Sequence, residues 1–146
     1  MGKGKRRRAE RSQAIQVLYS LSFIPADSPE AVRRAFLASP QNGKQVGEDA
    51  LASYAFTLVE GVWSKSAQLD EIIARHAINW RVDRLGRIEL TLLRLAVFEL
   101  LFCRDVPPRA VINEALDLGR AYSGEEAIRF VNGILDSVAR SLENAQ

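Results

Sequence analysis

The chain has 146 residues, 47% of them hydrophobic, with 20 Lys and Arg against 18 Asp and Glu. That length suits one domain or two tight subdomains, and the apolar share supports a packed core, which excludes wholesale disorder. A single cysteine, Cys103, and a single histidine, His76, exclude an internal disulfide, a four-thiolate metal site and a two-histidine zinc motif, and they fit a reducing intracellular compartment.

Charge is unevenly placed. Residues 1–11 hold Lys3, Lys5, Arg6, Arg7, Arg8 and Arg11 against Glu10, a net +5, so the remainder carries −3 of the overall +2. A basic arm on a mildly acidic body points to a polyanion, nucleic acid ahead of an anionic membrane. No span is expected to cross a membrane, because the most apolar stretch, residues 90–103, is broken by Arg94 and Glu99 and is too short. Residues 14–24 follow a basic start as a signal peptide would. Gln16, Ser20 and Ser22 interrupt their apolar run, however, and Pro25-Ala26-Asp27 is a poor cleavage site. A cytoplasmic protein is expected.

The periodicity is helical almost throughout, with no strand-like alternation. A first helix is expected over about residues 5–23, with Ala14, Leu18 and Leu21 on one face, Ile15 and Val17 flanking it, and Arg7 and Arg11 upstream on the same stripe. The cationic arm therefore continues a packed helix. Pro25, Asp27 and Pro29 mark a turn, and Asp27 or Ser28 can cap a short helix carrying Val32, Ala35 and Phe36. Ser39-Pro40-Gln41-Asn42-Gly43 reads as a loop. A long helix is expected over about residues 47–77, burying Leu51, Ala55, Leu58, Val62, Leu69, Ile72 and His76. Asn79-Trp80-Arg81-Val82-Asp83 follows as a break that anchors an aromatic. Residues 85–102 are apolar around most of the helix, with Arg87 and Arg94 on the polar side, and should form the central helix. Asp105 can cap the next helix, where a proline suits the first turn and Val111, Ile112, Ala115 and Leu118 are buried. Ser123-Gly124-Glu125-Glu126 has the pattern of a capping box for the last helix, which buries Ala127, Val131, Ile134, Leu135, Val138 and Leu142.

Candidate functional residues begin with the arm, since clustered arginines fork hydrogen bonds onto phosphates and stack on bases. Phe130 points about 100° away from the main stripe of its helix, on the side of Glu126 and Gly133. It either meets a partner or is buried against the first helix or a loop. Glu89 and Glu99 fall near apolar faces of the central helix, where a carboxylate needs a partner. Ten residues of helix separate them by about 15 Å, too far for acid–base work on one bond. Asn113-Glu114 and Asn132-Gly133 read as polar pairs for helix–helix hydrogen bonds. Cys103 reads as a buried thiol. With no nucleophile–base set, phosphate-cradling loop or metal-ligand spacing, the expectation is a non-enzyme without cofactor or metal.

Several stretches resemble the NusB family of transcription antitermination factors. They are Lys5-Arg6-Arg7-Arg8-Ala9-Glu10-Arg11 leading into Ala14-Ile15-Gln16-Val17-Leu18-Tyr19-Ser20, Asn79-Trp80, and the segment from Leu92 to Leu100. The most specific are Asp105-Val106-Pro107-Pro108-Arg109-Ala110-Val111-Ile112-Asn113-Glu114-Ala115 and Phe130-Val131-Asn132-Gly133-Ile134-Leu135-Asp136. The resemblance implies an all-α bundle of about seven helices in two packed three-helix subdomains, about 5–79 and 81–142, forming one RNA-binding domain over residues 1–146. It further implies binding to boxA-type single-stranded RNA together with the ribosomal protein NusE. The assembly would join RNA polymerase and other Nus factors and suppress premature termination in ribosomal RNA operons.

Carried over by position, Lys5, Arg6, Arg7, Arg8 and Arg11 match the family's RNA-binding start, with Tyr19 beside it. Glu126, Arg129 and Phe130 match a region used for RNA and partner contacts, and Glu89 an acidic position on the NusE side. Tyr122 stands where Phe is frequent and Ala127 where a small polar residue is, which puts Tyr122, Glu126 and Phe130 on a partner surface of altered detail. Two other readings are an RNA-presenting domain like that fused to RNA cytosine methyltransferases, and a homodimer module using the flank of Phe130.

Overall fold

The computed structural model describes residues 2–40, 48–77 and 85–145, and the side chains of all of these except 2–5 and 48. Among the described residues the regular elements are eight α-helices, one more than the expected seven or so. They are α1 (Gly2–Phe23), α2 (Pro29–Leu37), α3 (Glu48–Leu51), α4 (Tyr54–Ser64), α5 (Ser66–His76), α6 (Arg87–Phe102), α7 (Pro108–Arg120) and α8 (Glu125–Asn144). Their backbone falls into two compact units, residues 1–64 and 65–146.

In the first unit α1 packs along α4, and α2 packs on both. Ala14, Ile15, Val17 and Leu18 of α1 are buried, as the stripe requires, together with Val32 and Phe36 of α2 and Ala55, Phe56, Leu58, Val59 and Val62 of α4. The Phe36 and Phe56 rings meet edge-on at 5.1 Å. Gln13 Nε2 donates to Ser39 Oγ at 3.4 Å, a buried polar link from α1 to the end of α2. Ser28 is the N-cap of α2, its side chain accepting from the Ala31 N–H, so the cap is Ser28 and not Asp27.

The expected long helix over 47–77 is three helices. Ser53 Oγ accepts from the Phe56 N–H at 3.1 Å and starts α4 afresh, and Lys65 leaves helical geometry (φ −112°, ψ 17°) before α5. That second break carries the unit boundary to Ser64/Lys65, earlier than the expected 79–81. The physical reason lies in what α5 buries. Its Leu69, Ile72 and Ile73 are covered, and it packs on α6 and α8. Arg94 Nε and Nη2 grip Asp70 Oδ1 and Oδ2 at 2.6 and 2.8 Å, and His76 Nδ1 shares a 2.8 Å hydrogen bond with Ser137 Oγ.

The second unit is arranged around α6, buried over Thr91–Leu93 and over 95–100, as a central helix should be. Two caps differ from expectation. The N-cap of α7 is Pro107, in extended geometry with Pro108 in the first turn, so Asp105 stays exposed in the preceding turn. The N-cap of α8 is Gly124, which puts Ser123 one residue too early for a capping box, and its hydroxyl donates to Glu89 instead. Of the two polar pairs, Asn113, Asn132 and Gly133 are exposed and Glu114 is half-buried. Cys103 is buried and forms no disulfide. The segment 79–83 and residues 41–43 of the expected loop lie outside the described residues. No helix among the described residues is long and apolar enough to cross a membrane.

Gly119 of α7 is buried where a Cβ would meet Ile128 Cδ1 at 2.6 Å and Leu92 Cδ1 at 3.1 Å, whereas a Cβ on Gly133 meets nothing within 4 Å. Gly119→Val should therefore destabilise by about 1–3 kcal/mol through overpacking. Gly133→Ala should stabilise by up to about 1 kcal/mol through helix propensity, and paired thermal melts read both signs. Burial, and then the charge of Arg75, hold the His76 pKa below its ordinary 6.5. The unfolded chain then binds a proton that the folded chain refuses, so this contribution is complete above pH 6.5 and is lost as pH falls toward the lowered value. Denaturant titrations of His76→Asn should show a flatter decline of stability just below pH 6.5 than the parent chain.

Candidate nucleic-acid interface

The helical repeat of about 100° per residue sends the arginines of the arm to different fates. Arg6 and Arg8 are exposed, Arg7 is half-buried and Arg11 is only 4% exposed. Arg7 and Arg11 continue the buried stripe of Ala14 and Leu18, so their guanidinium groups turn toward the body of the unit. Arg11, expected among the RNA-binding residues, is covered in this structure and packs within the unit. Arg7 Cζ lies 3.6 Å from the centroid of the Tyr54 ring. Glu10 Oε1 accepts from the Tyr54 N–H at 3.1 Å, so one carboxylate of the arm is used to seat the start of α4. The Lys5 side chain lies outside the described ones. Tyr19 is 38% exposed near the other end of α1, its ring edge-on to Phe23 at 5.0 Å. The surface that α1 offers a ligand is thus Arg6 and Arg8, with Arg7 partly reachable and Tyr19 about three turns along.

In the second unit Tyr122 is 46% exposed, and Glu126 and Arg129 are exposed on the first turns of α8. Phe130, expected on a contact surface or else buried, is 6% exposed, and its ring lies in the interior. Glu89, in the first turn of α6, accepts the Ser123 hydroxyl and so ties that helix start to the turn carrying Tyr122. A Cβ on Gly86 would run into the Glu89 carboxylate, so a glycine there leaves room for this arrangement. Glu99 is 1% exposed, inside the core of α6, while Glu89 sits near the surface end. The two face no common cleft. Sequence reasoning missed two partners, Tyr54 beneath Arg7 and Ser123 on Glu89. No periodicity signals either, because each is fixed by where a second helix begins.

A helical protein that turns two arginines of one packed helix to solvent offers a surface of the kind that binds a polyanion. The model of the NusB family matches residues 8–140, and the chain belongs to that family. It is similar to the transcription antitermination protein NusB of Desulfovibrio desulfuricans, 54% identical over 99% of this chain and 91% of that protein. It is also similar to that of Myxococcus xanthus, 43% identical over 93% of this chain and 96% of that protein. Among solved structures it is similar to the crystal structure of antitermination factors NusB and NusE in complex with dsRNA. The TM-score there is 0.76 at 29% identity, with 95% of this chain and 99% of that chain covered. The solution structure of NusB from Aquifex aeolicus gives a TM-score of 0.73 at 30% identity, covering 96% of this chain and 91% of that one.

The burial difference along α1 is testable without a ligand. Arg11→Ala should lower stability by more than about 1 kcal/mol, because it removes a covered polar side chain from its partners. Arg6→Ala should stay within about 0.5 kcal/mol of the parent. Urea midpoints of the two variants, measured side by side, check the order.

Proposed function

We propose that this chain is a cytoplasmic antitermination factor that binds a boxA-type element of nascent RNA together with NusE. The pair then joins RNA polymerase and other Nus factors and suppresses premature termination in ribosomal RNA operons. The observation that carries the reading is the exposure of Arg6 and Arg8 on a helix whose opposite side is buried in the first unit. Arginines held this way neutralise phosphates without first having to be ordered, because the helix beneath them is already packed. Membership of the NusB family and full-length similarity to antitermination proteins support the partners and the non-catalytic role.

The protein side of the assembly is assigned to Tyr122 and Glu126, with Glu89 holding their turn through Ser123. An exposed tyrosine near an acid suits a ribosomal protein, a class rich in basic residues, and Arg129 beside them is left for RNA. The homodimer reading through Phe130 loses its apolar ring to the interior. The methyltransferase-domain reading is disfavoured, because the D. desulfuricans relative carries the antitermination name and is matched over 91% of its own length.

Assembly then replaces chemistry. Phosphate contacts set affinity and register, and exposed bases supply sequence. The test is a titration of boxA RNA, a scrambled RNA of equal length and a boxA duplex, with and without NusE, at several salt concentrations. We expect boxA to bind more tightly than the scrambled strand. Three to four phosphate contacts should give a slope of log K against log salt of about −2 to −3. Arg6→Ala should reduce its magnitude by about 0.7. NusE should tighten boxA by about 5–150-fold, and boxA should tighten NusE by the same factor. Equal affinity for boxA and scrambled RNA, unmoved by NusE, contradicts the reading.

A further inference from the structure

Tyr54 lies at the start of α4 and is held to α1 twice. Its backbone N–H donates to Glu10 Oε1 at 3.1 Å, and its ring carries the Arg7 guanidinium 3.6 Å from the centroid. At that separation the planar group rests on the ring face and loses most of its freedom to turn. Arg7 Nη1 is the one buried side-chain polar atom among the described residues without a hydrogen-bond partner. An unmet buried donor is unfavourable, and it stands here in the middle of the basic arm, between two exposed arginines. The unit thus fixes the plane of the guanidinium with Nη1 turned inward, where no described residue supplies it an acceptor.

Phosphates and bases ask for different donors. A phosphate offers acceptors in many directions, and a solvent-exposed arginine such as Arg6 reaches it without preparation. A base edge presents its acceptors in one plane and in a fixed order, so it rewards a guanidinium that cannot rotate. A guanidinium fixed in one plane also rejects a base edge that offers another donor opposite its own, since both N–H groups are then left unpaired. We propose that Arg7, fixed on the Tyr54 ring, is the base-reading element of the RNA surface, with Tyr54 as its positioning residue, while Arg6 and Arg8 hold phosphates. The inference rests on the RNA-binding reading above and assigns the sequence preference of that same surface to one stacked pair.

The experiment uses the full chain, the boxA RNA and the scrambled RNA of equal length, at two salt concentrations, with a melt recorded for each variant. Tyr54→Leu and Arg7→Lys should each lower the preference for boxA over the scrambled strand by about tenfold. The first keeps the guanidinium and the second keeps the charge, so the salt slope should stay at its parental value in both. Tyr54→Phe, which restores the ring, should restore the preference. Arg6→Ala should instead weaken both RNAs alike and flatten the salt slope. Should Tyr54→Leu unfold, Arg7→Lys and Tyr54→Phe carry the decision. Unchanged preference in Arg7→Lys and Tyr54→Leu, with Arg6→Ala still weakening both RNAs, overturns the inference and leaves the RNA reading standing. Equal weakening of both RNAs by Arg7→Lys also overturns it, because the pair then acts by general attraction. If the parent chain binds neither RNA, both fall together.

Discussion

The seam between α1 and α4 is the constraint on which the rest depends. One helix has to bury Ala14, Ile15, Val17 and Leu18 and also present a cationic edge. With 3.6 residues per turn it cannot turn every arginine outward. Positions 7 and 11 precede 14 and 18 at spacings of four, three and four, so they fall on the buried stripe, and 6 and 8 fall to either side. Arg11 is therefore enclosed, Arg7 lies over Tyr54, and Arg6 and Arg8 meet solvent. A flexible basic tail would present all its charges equally and pay for ordering them on binding. A packed helix presents fewer, already in place, which favours a defined register on a polyanion over simple attraction.

The second unit solves a related problem with hydrogen bonds. The turn between α7 and α8 carries Tyr122 outward, and Ser123 within it donates to Glu89 at the start of α6. A loop fixed from a neighbouring helix holds an exposed aromatic in one place. Glu89 thereby supports the turn that carries Tyr122. Arg94 on Asp70 and His76 on Ser137 bind α5 into the same unit, although in sequence α5 looks continuous with α4.

Helical periodicity carried most of the fold, because each long helix has one uninterrupted apolar arc. What it could not carry were the junctions. Ser53 and Lys65 break a stripe that runs on through them, since a helix can stop and restart with little change of phase. The Ser123 box failed by a single residue, with Gly124 taking the cap in extended geometry. For the site, the arginine cluster was legible as a charge pattern. The division of labour within it lay in the same stripe that predicted the core, and was overridden by the weight given to charge. Phe130 shows the limit of a helical wheel. It lies about 100° from Val131 but only about 40° from Ile134 at 100° per residue, so the broad buried arc of α8 takes it in.

The central claim, that the packed side of α1 selects which arginines meet RNA, is tested most directly by the arginine side-chain N–H resonances of the chain as boxA RNA is added. The account predicts large changes for Arg6 and Arg8 and an unmoved, already protected signal for Arg11. A signal from Arg11 that shifts as far as those of Arg6 and Arg8 would contradict it, since the helix would then have to leave its seam to bind.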